Sequence, residues 1–129
     1  MSKQPVFTSF DFDHDEDLRN LLIGQSKNPD SPFEMSDWSI KEPLTGDWKE
    51  KVRKRINKCN LMIVICSEYT GSASGVSSEV KMAQEEEMPY FLLWGRSDIN
   101  CVKPQSARGN DKIYKWTWDN LKNLIAGAR

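Results

Sequence analysis

The stretch 61–66 reads LMIVIC. Six apolar residues follow one another with no polar side chain between them, and Ile63, Val64 and Ile65 are β-branched. Such side chains favour an extended backbone. A strand with one face in water alternates apolar and polar residues. This one does not, so both of its faces are buried. The run is far too short to span a bilayer. A strand covered on both faces needs a layer of helices on each side, and that requirement selects a parallel sheet of the α/β class.

The flanking sequence supplies those layers. Upstream, DWKEKVRKRINKC (47–59) places Trp48, Val52, Ile56 and Cys59 on one helical stripe, with Lys and Arg on the opposite side. KEPLTG (41–46) is a loop, and FEMSDWS (33–39) is a short strand after the turn NPDSP (28–32). The chain opens with a strand, PVFTSF (5–10), and a helix, DEDLRNLLIGQSK (15–27), in which Leu18, Leu21 and Leu22 have helical spacing. Downstream, GSASGVSSEVKMAQEEE (71–87) passes from a small-residue loop into a helix, and MPYFLLWG (88–95) is a second fully apolar strand. RSDINCVKPQSARGND (96–111) is a long polar loop before a last strand, KIYKWT (112–117), and a last helix, WDNLKNLIAGA (118–128), with Thr117 as its N-cap. Right-handed crossovers turn this order into one doubly wound, five-stranded parallel sheet with helices on both faces, a single domain over residues 1–129.

The net charge of −1 supplies no field that attracts nucleic acid or an acidic membrane surface, so neither is expected as a partner. Cys59, Cys66 and Cys101 are odd in number and form no CxxC pair, which suits a reducing compartment better than a disulfide framework. MSKQPVF has no apolar leader core, and a cytoplasmic protein is expected.

In a doubly wound sheet, ligands bind outside the carboxyl ends of the strands. The loop SFDFDHDED (9–17) is the first to lie there. Its alternate Asp residues resemble a calcium loop, but Glu16 and Leu22 stand where that loop needs Gly and a bidentate Glu. An aspartyl phosphatase would need Thr or Val at Asp15. A phosphorylatable receiver would need a carboxylate at Cys66-Ser67, and an acidic loop would repel a flavin phosphate. Asp13 or Asp15 is expected to cap the helix, with Asp15, Glu16 and Asp17 complementing its positive end. Phe10, Asp11 and Phe12, nearest the strand end, are the better site candidates. The loop SEYTGSASGVSSEV (67–80) passes Ser67, Ser72, Ser74 and Gly75, small residues that let a ligand approach the backbone, and leads to Glu79 in what reads as the first turn of a helix. Glu79 either complements the helix dipole or faces the cleft. His14 is the only histidine, so a Ser-His-Asp triad and a multi-histidine metal site are both excluded. Neither phosphate-binding glycine signature is present.

VFTSFDFDHDEDLRNLL, SDWSIKEPLTGDW, INKCNLMIVICSEYTGSASGVSSEV and IYKWTWDNL, in this order, resemble the boxes of a TIR domain, and more narrowly the small bacterial TIR-like proteins of Thoeris antiphage systems. The resemblance implies a flavodoxin-like fold. It also implies either cleavage of NAD at the nicotinamide–ribose bond or assembly through TIR–TIR contacts. The family's catalytic Glu falls on Glu79, and the Ser before its Trp-Cys pair falls on Ser74, while Gly75 and Val76 replace the Trp and Cys. By this resemblance Phe10 and Trp38 either stack on nicotinamide or adenine or pack in the core, Asp11 points away from the pyrophosphate or meets ribose, and Ser67, Ser72 and Ser74 line the substrate. NAD is expected as substrate, with no cofactor and no metal. The product is ADP-ribose or a cyclic or conjugated ADP-ribose that reaches a separate effector by diffusion. WSIKEPLTGDW (38–48) is expected to govern assembly or access. The alternative is a non-catalytic adaptor that acts by self-association into homo-oligomers.

Overall fold

The computed structural model describes residues 3–11, 13–35 and 48–127, and of residues 48 and 49 the backbone alone. Five strands alternate with four helices: β1 (Gln4–Ser9), α1 (Glu16–Ser26), β2 (Phe33–Met35), α2 (Trp48–Ile56), β3 (Leu61–Cys66), α3 (Ser74–Glu85), β4 (Tyr90–Trp94), β5 (Ile113–Lys115) and α4 (Trp118–Ala126). The strands form one sheet in the order β2-β1-β3-β4-β5, and every adjacent pair is parallel. This is the expected doubly wound, flavodoxin-like arrangement. Trp38, Phe12 and most of the loop 38–48 lie outside the described residues.

β3 is the central strand, and all of its residues are buried. Met62, Val64 and Cys66 pack on one face with Val52 and Ile56 of α2 and Val76 and Val80 of α3. Leu61, Ile63 and Ile65 pack on the other with Leu18 and Leu22 of α1 and Leu121, Leu124 and Ile125 of α4. Each such aliphatic side chain contributes roughly 1.5–3 kcal/mol on leaving water. Val52 and Ile56 of the α2 stripe therefore face inward as its spacing predicts, with Cys59 closing it just beyond the helix, while the Trp48 side chain lies outside the described residues. Thr117 caps α4 by accepting a hydrogen bond from the backbone N–H of Asn120, and Gly127 ends the helix in the left-handed conformation at φ 116°.

Two expectations are corrected. Leu21 is 61% exposed, because the inward stripe of α1 runs at four-residue spacing through Leu18, Leu22 and Ser26 and leaves Leu21 on its flank. α3 begins at Ser74, so Glu79 sits in the second turn and not the first. A 3-10 turn over Thr70–Ser72 takes up the segment that reads as open loop.

The sheet order positions the site. The chain leaves β1 outward to β2, then returns across it to β3 on the other side. The direction reverses between β1 and β3, so the carboxyl ends of these two strands are the topological switch point of the sheet. Doubly wound folds bind ligands in the crevice outside such a point.

Candidate active site

Glu79 reaches this crevice from α3. Ser9 is the last residue of β1, and its hydroxyl donates to Oε1 of Glu79 at 2.7 Å. The carboxyl group is largely screened from water, and that burial pushes its pKa up to about 8, with the Ser9 hydrogen bond opposing the shift. A carboxyl group with so perturbed a proton affinity, at the switch point of the sheet, is a functional-site candidate on physical grounds alone.

The loop after β1 folds around Asp11. Its carboxylate accepts from the backbone N–H of Asp13 at 3.1 Å and lies 2.8 Å from Nδ1 of His14. Its carbonyl accepts from the N–H of His14 and of Asp15. The His14 ring stacks on Tyr69 of the loop after β3, with centroids 3.8 Å apart and planes 12° from parallel. The two loops that border the crevice thus touch at its rim.

Asp15 departs from the sequence-based expectation. It holds the N-cap position of α1, yet its side chain makes no capping bond and is fully buried. It accepts from the Ser67 hydroxyl at 2.5 Å and from Nη2 of Arg96 at 3.2 Å. Burial raises its proton affinity, and Ser67 and Arg96 oppose the rise. Arg96 also forks onto both oxygens of Asp17, at 3.1 and 3.0 Å, and onto the carbonyl of His14 at 3.1 Å, and this pairing lowers the pKa of Asp17. Gly95 makes the arrangement possible. Its N–H donates to the Cys66 carbonyl at 2.8 Å, and a Cβ there would lie 2.7 Å from that oxygen. The close approach delivers Arg96 to the acidic loop.

The predicted site residues separate into three groups. Glu79 faces β1 at the crevice, Asp11 organises the rim, and Ser72 and Ser74 are exposed where the 3-10 turn enters α3. Phe10 is 3% exposed and packs in the α1–α4 core, and the Ser67 hydroxyl is buried against Asp15. In this structure Phe10 serves packing and Ser67 holds the loop after β1 to the end of β3. Trp38 lies outside the described residues. Ser9, Asp15 and Arg96 are the additions. A serine at the end of a first strand was a usable signal for Ser9. No local pattern could reveal an ion pair between residues 81 positions apart.

Among the described residues, no group of three or more His, Cys, Asp or Glu side chains is placed to hold a metal ion. No described helix is long and apolar enough to cross a membrane. Compared with known families, residues 7–100 match the TIR-like domain of the Thoeris protein ThsB. The chain belongs to this family. The match runs from β1 through β4 and includes the crevice, Glu79 and the Arg96 clamp. No curated protein matches the sequence. Membership in the Thoeris TIR-like family supports a role in antiphage defence.

Proposed function

We propose that this TIR-like domain cleaves NAD at the nicotinamide–ribose bond, with Glu79 as the catalytic carboxylate. The observation that carries the reading is the placement of Glu79: a partly buried carboxyl group, pushed up to a pKa of about 8, at the carboxyl end of β1 beside the switch point. When the C1′–N bond breaks, its electron pair leaves with nicotinamide, which departs neutral, and positive charge develops on the ribose. A fixed carboxylate next to that charge stabilises it, as in glycosidases. Water then adds to C1′ and releases a proton, giving ADP-ribose. A hydroxyl or ring nitrogen adding in its place gives a conjugated or cyclic product. Nicotinamide needs no strong general acid to leave, so a single carboxylate suffices.

The raised pKa suits this role. In the free protein the burial of Glu79 favours its neutral form more than that of an exposed Glu. The cationic nicotinamide ring favours the ionised form, since opposite charge at close range lowers a carboxyl pKa. Binding thus generates the carboxylate where it is used. Ser72 and Ser74, exposed at the entrance to α3, and Asp11 at the rim are the polar groups available to the ribose and phosphate portions. We further propose that the domain works as a homo-oligomer and that its product signals to a separate effector.

A second reading draws on Gly75 and Val76. Val76 is 1% exposed and belongs to the α2–α3 core, and the position of Gly75 is bare of any side chain. A site lacking an aromatic there suits an adaptor that only assembles.

One experiment separates the two readings. The protein is incubated with NAD, and the products are resolved by mass for wild type and Glu79→Gln. The enzymatic reading expects nicotinamide and an ADP-ribose species from wild type and a loss of at least about a hundredfold in Glu79→Gln, the scale of removing a charge-stabilising group. Equal turnover by the two proteins removes Glu79 from the mechanism. No nicotinamide from wild type leaves the adaptor.

A further inference from the structure

Ser9 and Glu79 lie 70 positions apart in sequence, and they are joined at 2.7 Å. The donor stands on the last residue of β1, one of the two strands that form the switch point, and its backbone is fixed by pairing with Val64 of β3. The acceptor stands in the second turn of α3, whose Val76 and Val80 anchor it in the core. Ser9 is itself 1% exposed, so its hydroxyl has little access to water and is committed to the carboxyl group. The hydrogen bond uses Oε1 and leaves Oε2 unpaired by Ser9.

We propose that Ser9 is the positioning residue for Glu79: its hydroxyl pins one carboxyl oxygen to the end of β1, so that the other is turned toward the ribose of the substrate. The inference rests on the NAD reading for its substrate but not for its geometry. The pinning also has an electrostatic side. A donated hydrogen bond stabilises the carboxylate more than the acid, so Ser9 acts against the burial that raises the Glu79 pKa. Other groups among the described residues leave that task to Ser9. Among the described residues, β1, β3 and α2 pack against α3, and Ser106 of the loop before β5 bonds to Ser77. β3 brings the Cys66 thiol to this face, and burial keeps it protonated. Arg53 of α2 is engaged by Glu85 and Glu86 at the far end of α3. On the loop after β1, Asp11 faces His14, and Asp15 faces Ser67 and Arg96. Burial raises the proton affinity of Glu79 and, among the described residues, Ser9 opposes the rise.

The test follows the side-chain carboxyl carbon of Glu79 by NMR through a pH titration of wild type, Ser9→Ala and Ser9→Thr, alongside nicotinamide release from NAD over the same range. The midpoint of Ser9→Ala is expected to move to higher pH than wild type. The acid limb of kcat/KM should move with it, an about tenfold loss below the midpoint for each unit moved. Ser9→Thr keeps the hydroxyl and should restore both. If Ser9→Ala fails to fold, Ser9→Cys, a much weaker donor of similar size, is expected to show the same displacement. A Glu79 midpoint unchanged by removal of the hydroxyl overturns the proposal whatever the turnover. A displaced midpoint in a protein that releases no nicotinamide supports the pinning and overturns the NAD reading instead.

Discussion

Replacing Arg96 by Met leaves the buried Asp15 carboxyl group without its cation. Breaking a buried ion pair from one side costs several kcal/mol. Arg96 retains 23% exposure, so a loss of about 3 kcal/mol, the lower end of that range, is expected in urea unfolding. The Asp17 arm adds little, because that carboxylate is 61% exposed and well hydrated. The loss should depend on pH. Arg96 lowers a folded-state Asp15 pKa that burial raises, so removing it lets that pKa rise further. A carboxyl group whose folded pKa lies above its unfolded value loses stability as pH climbs between the two. Arg96→Met should therefore be less stable, relative to wild type, at pH 8 than at pH 5. An equal deficit at the two values would mean that Asp15 is not the group left unpaired. None of this is visible in the sequence, where Asp15 reads like its neighbours Asp13 and Asp17. Burial distinguishes it, and its partners Ser67 and Arg96 follow β3 and β4, far along the chain.

Elements with a single strong period were legible, and those with mixed signals were not. β3 and β4 announce themselves by unbroken apolar runs, and α2 by Val52, Ile56 and Cys59 at four- and three-residue spacing. The start of α3 was missed because Ser74, Gly75, Ser77 and Ser78 are poor helix formers, and the helix there is held by the burial of Val76 and Val80. α1 offers a direct comparison. Leu21 and Leu22 are adjacent in sequence, the first 61% exposed and the second wholly buried. Leu22→Ala should cost roughly 2–5 kcal/mol by leaving a cavity between α1 and the sheet. Leu21→Ala should fall within about 0.5 kcal/mol of wild type. Thermal or urea denaturation of the two variants measures the stripe, and similar losses from both would place Leu21 in a contact that the described residues do not include. Leu21 borders a surface hollow with Gln25, Gly95, Trp116, Thr117 and Trp118, and a single exposed leucine there is ordinary for a protein surface.

At the scale of the whole molecule, Glu79 ties stability to the site. Its folded pKa of about 8 lies above the value of an exposed Glu. Between those two values the folded protein binds a proton that the unfolded chain has released, so stability falls as pH rises toward 8. Wild type should lose stability across this window, and Glu79→Gln, which cannot ionise, should lose less. Denaturation midpoints at pH 5, 7 and 9 test this, and parallel curves for the two proteins would mean that Glu79 ionises normally in the fold. A neutral variant that gains relative stability where the wild type must carry charge is the expected signature of a group kept for function and not for folding. The close approach at Gly95 has a consequence of another kind, for inheritance. Every amino acid reachable from a glycine codon by one nucleotide change carries a Cβ, and at Gly95 that atom meets the Cys66 carbonyl at 2.7 Å. At Gly75 the same atom meets nothing within 4 Å. One glycine is closed to drift by the backbone of the neighbouring strand. The other, on the helix that carries Glu79, is an open address, where lineages can add or discard a side chain beside the crevice without disturbing the sheet beneath it.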